Sequence, residues 1–117
     1  MREYIIKSTR RKKDYIWGRL YYSDRYNTFK IKWRCTFEEM RKDNPPPMVF
    51  MCMPQGRLEL DKDLALSWVE QRIIPKERQN IDAILKNAGL KTYREIDMLE
   101  LCMGRCTLDD IYLERVR

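Results

Sequence analysis

Alternating hydrophobic and polar positions predict a β-hairpin in the first third of the chain. Its first arm runs from Asp14 to Tyr22, and its second arm from Thr28 to Cys35 alternates strictly. Successive side chains of a strand point to opposite faces, so the second arm has one apolar and one basic face. The apolar positions are Phe29, Ile31, Trp33 and Cys35, and the basic ones are Lys30, Lys32 and Arg34.

Aromatic residues in the first arm leave two interpretations of its exposed face. Strict alternation places Tyr15, Trp17, Arg19 and Tyr21 together, and such rings beside a basic row can stack on single-stranded bases. The alternative is that Trp17, Tyr21 and Trp33 fill the core while the lysines point to water.

Further strands are predicted on either side of this hairpin. Residues 3–8 indicate a first strand, and the basic run 10–13 indicates an exposed loop. The apolar run 48–53 predicts a buried strand that turns into residues 57–60 to form a second hairpin. Between the two hairpins, Thr36 and Glu39 form a capping box for a short helix, which the prolines at 45–47 end.

The second half of the chain has a helical pattern. From Asp61 onward the apolar period changes from two to between three and four. This predicts four short helices, which begin at Asp61, Pro75, Thr92 and Thr107. The fold class expected is therefore α+β: a small antiparallel sheet packed against a C-terminal set of short helices, in a single domain spanning residues 1–117.

The net charge of +6 is concentrated in the N-terminal third. Residues 1–34 contain eleven Lys and Arg against three acids, a balance of +8, and the other 83 residues contain thirteen against fifteen, a balance of −2. A basic region attracts polyanions, whether nucleic acid or an acidic protein surface. The predicted partner-binding residues are Arg19, Lys30, Lys32 and Arg34. The alternative is a solvated basic face that only aids solubility.

Four cysteines and no histidine define the candidate metal chemistry. Cys102 and Cys106 flank Gly104 at a predicted helix junction, a spacing suited to a tetrahedral zinc site that Cys35 and Cys52 would complete. Such a structural site would join the sheet to the helices, and four thiolates would leave no open position for catalysis. The alternative is four separate buried thiols.

No motif for nucleotide binding, nucleophilic catalysis or an open metal site is present, and no histidine supplies a general base. We therefore expect a protein that is not an enzyme. The chain has no apolar run of transmembrane length and no signal-peptide pattern, so we expect a cytoplasmic protein with no membrane partner.

The chain is small, lacks catalytic machinery, and has a thiol-only candidate zinc site at Cys35, Cys52, Cys102 and Cys106. In these features it resembles the type II anti-CRISPR proteins of phages and mobile elements, which bind Cas9. This resemblance implies an inhibitor of a larger nucleic-acid-handling effector, with Cas9 as the candidate partner, in a bacterial or phage-infected cell. The basic charge differs from the acidic, DNA-mimicking members and favours blocking of a protein surface. The alternative function is a nucleic-acid-binding accessory protein that uses the basic hairpin.

Overall fold

The computed structural model describes residues 1–10, 13–34, 59–107 and 109–117. Within them, five strands form one antiparallel sheet in the order β4-β3-β2-β1-β5, and three helices accompany it. The α+β class is thus confirmed. The strands are β1 (Arg2–Arg10), β2 (Lys13–Ser23), β3 (Thr28–Trp33), β4 (Glu59–Leu60) and β5 (Ile111–Arg115), and the helices are α1 (Lys62–Glu70), α2 (Ile81–Asn87) and α3 (Glu95–Cys102).

The core lies between one face of the sheet and the helices. Alternate residues of each long strand are buried, and they form one cluster with apolar residues of the helices. The strands contribute Tyr4, Ile6, Trp17, Leu20, Tyr22, Phe29, Ile31, Trp33, Leu60, Ile111 and Leu113, and the helical half contributes Ala65, Trp68, Val69, Ile73, Leu85, Ile96, Met98 and Leu99. The opposite face of the sheet points away from these helices, and we call it the open face.

The predicted hairpin is present as β2 and β3, but a bulge changes the pattern of its first arm. Ile6 lies opposite Gly18 and Lys7 lies opposite Ile16, so Trp17 is an extra residue in β2. Trp17 is completely buried and donates from Nε1 to Ser8 Oγ at 2.7 Å. The prediction that Trp17 shares a face with Arg19 and Tyr21 is therefore wrong, because the bulge reverses the alternation after it.

Gly18 accommodates this bulge through close backbone contact. A Cβ atom there would lie 2.5 Å from the carbonyl oxygen of Lys32 and 2.9 Å from the Cα of Trp33. Both contacts are with backbone atoms, which cannot rotate away. Glycine thus allows β2 and β3 to approach closely where Trp33 packs into the core.

The three helices begin and end partly as predicted. Asp61 caps α1 by accepting a hydrogen bond from the amide of Leu64 at 2.9 Å, but α1 ends at Glu70 and does not continue to Ile73. The second helix begins at Ile81, because the residues after Pro75 form turns with bonds between residues three apart. It is followed by Gly89 at φ +74°, the left-handed residue expected after a helix end.

The predicted third helix is α3, which starts at Glu95. Its N-cap residue is Arg94, whose side chain makes no capping hydrogen bond, so the predicted capping box at Thr92 is wrong. It ends one residue earlier than predicted: the C-cap is Met103, at φ 49°, and the predicted C-cap Gly104 follows at φ 74°.

The predicted fourth helix is wrong, because the segment is β5. It pairs antiparallel with β1, with Ile6 opposite Leu113 and Ser8 opposite Ile111. Ile111 and Leu113 enter the core while Tyr112 lies between them on the other face, which is the period of a strand. Asp109, expected near a helix N-terminus, instead binds the amide of Ile111 at 3.0 Å.

The predicted basic loop at 10–13 is shorter than expected, since Arg10 pairs with Lys13 across the end of the β1–β2 hairpin. The predicted helix after Thr36, the proline segment and the strand at 48–53 lie outside the described residues, as do Cys35 and Cys52. In the described part of the chain, no helix is long and apolar enough to cross a membrane.

Candidate interaction surface and the cysteine loop

A row of side chains crosses the open face at its centre. Ile5 lies between Glu114 on β5 and Arg19 on β2, and Arg19 lies directly opposite Lys32 on β3. Lys32 in turn lies opposite Glu59 on β4. Two cations thus occupy adjacent strands at the middle of the sheet, and carboxylates lie at its two edges.

Among the described residues, the ion pairs on this face leave the central cation Lys32 without a partner. Arg19 binds Glu3 at 2.8 Å, a hydrogen bond that raises the pKa of the guanidinium. Lys30 pairs with Glu59 at 3.3 Å. Lys32 is exposed and forms no ion pair or hydrogen bond with any residue that the structure describes.

Of the four predicted partner-binding residues, three lie together. Arg19, Lys30 and Lys32 share the open face, as their registers require. Arg34 follows the last residue of β3 and its guanidinium carbon lies 5.9 Å from the centre of the Tyr15 ring. It still lines, with Arg19 and Lys32, a depression of about 370 Å³.

Base stacking on a row of aromatic rings is not supported by this geometry. Trp17 is in the core and stacks on Tyr15, with 5.3 Å between ring centres. Trp33 is buried against Trp68. Tyr21 is the member of the predicted aromatic row that lies on the open face, opposite Lys30.

Acidic residues balance the basic ones on the described open face. The cations are Lys7, Arg19, Lys30 and Lys32, and the acids are Glu3, Asp14, Glu59 and Glu114. Lys7 binds Glu114, which raises the pKa of the lysine. The hydroxyl of Tyr112 donates to Asp14 at 2.7 Å, which lowers the pKa of that carboxyl. The face therefore has mixed charge and is not uniformly basic.

The predicted zinc ligands are only partly within the described residues. Cys102 ends α3 and Cys106 lies in the following loop, both as free, half-buried thiols. The sulfur of Cys102 lies 3.6 Å from the carbonyl oxygen of Leu99 and 3.7 Å from that of Arg72. Among the described residues no three His, Cys, Asp or Glu side chains are grouped to hold a metal. With Cys35 and Cys52 outside this set, the four-thiolate site stays a prediction.

A buried ion pair holds the cysteine loop, residues 103–107 and 109, against Arg72, which follows the end of α1. The Arg72 side chain is fully buried and binds both carboxylate oxygens of Asp109, with Nη1 to Oδ2 at 3.0 Å. Its Nε donates to the carbonyl of Gly104 at 2.8 Å, and its guanidinium lies 4.9 Å from the Trp68 ring centre. This pair is not predicted by the hydrophobic pattern, which considers each helix by itself. The sequence signal for it is that Arg72 falls on the same helical stripe as Trp68 and Val69.

The same loop protects the outer edge of β5. The amide of Leu113 donates to the carbonyl of Met103 at 2.7 Å, and the amide of Ile111 donates to Asp109. Unpaired edge amides are the groups that recruit an added strand. Two of the outward amides of β5 are already occupied, so this edge is poorly suited to binding a partner strand.

Comparison with protein-family models, with curated proteins and with solved structures finds no match to this chain. Its function is therefore inferred from the geometry of its own residues.

Proposed function

We propose that this chain is a small interaction protein that binds a larger protein through the open face of its sheet. The observation that supports this best is the placement of Arg19 directly opposite Lys32. Like charges at opposite positions of neighbouring strands destabilise a sheet. Arg19 is paired with Glu3, and Glu59, the neighbour of Lys32 on β4, forms its ion pair with Lys30. Among the described cations of this face, Lys32 is therefore the one whose charge a carboxylate of a partner protein would neutralise.

The composition of the face supports a protein partner over a bare phosphate backbone. Among the described strand residues of this face, four acids lie among four cations, with Arg34 just beyond β3, and a phosphate chain would approach charges of both signs. Ile5, Ile16 and Tyr21 add apolar area between the charges, and Ile16 is 42% exposed. Protein interfaces combine apolar and aromatic centres with complementary charges in this way.

The partner class we propose is a nucleic-acid-handling effector, with Cas9 as the candidate, and this part rests on the resemblance to type II anti-CRISPR proteins. A zinc ion held by all four cysteines would serve structure in this proposal and would take no part in binding. Inhibition would follow from the chain occupying a surface that the effector needs.

Affinity purification with matched variants tests the proposal. The bait variant Arg19→Glu/Lys32→Glu reverses the central charges, and Lys76→Glu/Lys91→Glu reverses two exposed charges in loops of the helical half. We expect the first variant to bind its partner, or purified Cas9, at least about tenfold more weakly, which corresponds to about 1.4 kcal/mol. The second should bind normally. Equal binding by all three proteins would refute the role of the open face.

Direct nucleic-acid binding is the second candidate, through the basic residues of the β2–β3 hairpin. Arg19, Lys32 and Arg34 line one depression there. Gel shifts with DNA and RNA at increasing salt separate the two functions. Phosphate binding weakens steeply and linearly on a logarithmic scale, whereas a mixed protein interface weakens less. No shift at low salt eliminates this candidate.

A further inference from the structure

A pocket opens on the open face beside the turn that joins β2 to β3. Its volume is about 460 Å³, the scale of one or two amino-acid side chains and of small-ligand sites generally. Two tyrosines and two lysines dominate its lining, together with the first methionine and one acid. These residues are Met1, Tyr21, Tyr26, Lys30, Lys32 and Glu59.

The side chains that line this pocket include one more cation than anions. The side chains of Lys30 and Lys32 contribute +2 and that of Glu59 contributes −1. Glu59 pairs with Lys30 at 3.3 Å, so this chain itself shows that a carboxylate fits beside the lysine. The lysine without a described partner, Lys32, lies two residues along the same strand.

The rest of the lining is suited to an apolar or aromatic group. Tyr21 is partly buried, and burial together with Glu3 raises the pKa of its phenol, so the ring stays neutral. Tyr26 lies in the turn and is 68% exposed, and Met1 is 88% exposed. Aromatic and methionine side chains are enriched at protein interfaces, and a tyrosine ring buries much area at low entropic cost.

We infer that this pocket binds an acidic peptide segment of the partner protein, with one carboxylate at Lys32 and a neighbouring apolar side chain against Tyr21 and Tyr26. The inference rests on the proposed function and names the chemistry of its contact. One carboxylate pairs with Lys32, the lysine of this pocket that has no described partner, whereas a nucleic-acid strand would bring further phosphates toward Glu59 and Glu3.

The direct test is an NMR titration of the nitrogen-15-labelled protein with a short peptide in which glutamates flank a phenylalanine. We expect saturable binding with amide shifts concentrated at Tyr21, Lys30 and Lys32. The matched peptide with glutamine in place of both glutamates should bind severalfold more weakly, the effect of losing one or two exposed charge pairs. The variant Lys32→Glu should weaken the acidic peptide similarly, and Lys91→Glu should not. Equal binding of the two peptides, stronger binding of a short oligothymidylate at the same amides, or no saturable binding would overturn the inference.

A second variant separates this inference from the proposed function. Tyr26→Ala removes an exposed ring of the pocket and leaves the charges of Arg19, Lys30 and Lys32 unchanged. If the central charge reversal abolishes partner capture and the pocket variant captures normally, the open face is the interface and the pocket inference is wrong. If neither variant changes capture, the proposed function itself fails. Loss of capture in both supports both.

Discussion

Removal of one charge from the buried pair of Arg72 and Asp109 should destabilise the whole fold. The variant Asp109→Asn keeps the size of the side chain and an oxygen that can accept the amide of Ile111. It removes the negative charge that faces a guanidinium with no exposed side-chain area. The arginine is then left buried with the Gly104 carbonyl and the Trp68 ring as its described partners.

The magnitude follows from burial on both sides of the pair. The two side chains are 0% and 4% exposed, so water cannot replace the lost partner. Breaking a buried pair by removing one partner costs about 3–5 kcal/mol. We expect about 3 kcal/mol for Asp109→Asn, because the amide oxygen still accepts a hydrogen bond. This is a large part of the roughly 5–15 kcal/mol that stabilises a typical domain.

Urea unfolding followed by tryptophan fluorescence measures this change. With a slope of about 1.5 kcal/mol per molar urea, the midpoint should fall by about 2 M. Arg72→Met should be at least as destabilising, since it also frees the Gly104 carbonyl. The double variant should be more stable than the sum of the single effects predicts, by about 1–3 kcal/mol, because no unpaired charge remains. A single-variant loss below about 1 kcal/mol, or strictly additive effects, would refute the reasoning.

Three further predictions concern backbone contact, pH and metal. We expect Gly18→Ala and Gly104→Ala each to lower the free energy of unfolding in urea by about 1–3 kcal/mol. The new Cβ would lie 2.5 Å from the Lys32 carbonyl oxygen in the first variant and 2.8 Å from the Leu113 side chain in the second. Unchanged unfolding midpoints would contradict this close packing. Burial and the Glu100 carboxylate raise the pKa of Tyr4 above its ordinary 10.0, so the folded state favours the neutral phenol. The contribution of this phenol to the free energy of unfolding is complete below about pH 10 and declines as the pH rises further. Tyr4→Phe should therefore flatten the alkaline decline, and an unchanged decline would refute this. For metal, elemental analysis should find about one zinc per chain that is lost in Cys102→Ser or Cys106→Ser variants; fully folded, metal-free protein would end the zinc hypothesis.

The hairpin and its basic row could be predicted because β3 alternates without interruption. Phe29, Ile31 and Trp33 are buried and Lys30 and Lys32 exposed, as the period of two requires. The cap at Asp61 could also be predicted, since a side-chain acceptor before an apolar helix is a local signal. Both features depend on neighbouring residues in the sequence.

Features that depend on distant contacts could not be read from local pattern. The bulge at Trp17 is fixed by the register with β1, and it determines which side of β2 faces the core. The segment Ile111–Arg115 contains Leu, Glu and Arg, which favour helices, yet pairing with β1 makes it a strand. Arg72 is buried because Asp109, far along the chain, neutralises it.

The role of the cysteine stretch is also clearer with the structure. The loop after α3 is held by Arg72 through the carbonyl of Gly104 and through Asp109, and it in turn occupies edge amides of β5. This described network already joins helix, loop and sheet. A zinc site would add to that connection.

The central claim is that a partner protein covers the open face, and hydroxyl-radical footprinting of the complex tests it most directly. Ile16, Tyr21 and Tyr26 report on the open face, while Leu64 and Leu101, 49% and 53% exposed, report on the helical side. We predict that addition of the partner lowers oxidation of the first three severalfold and leaves the two leucines unchanged. Protection of Leu64 and Leu101, with no change at Ile16 and Tyr21, would contradict the account.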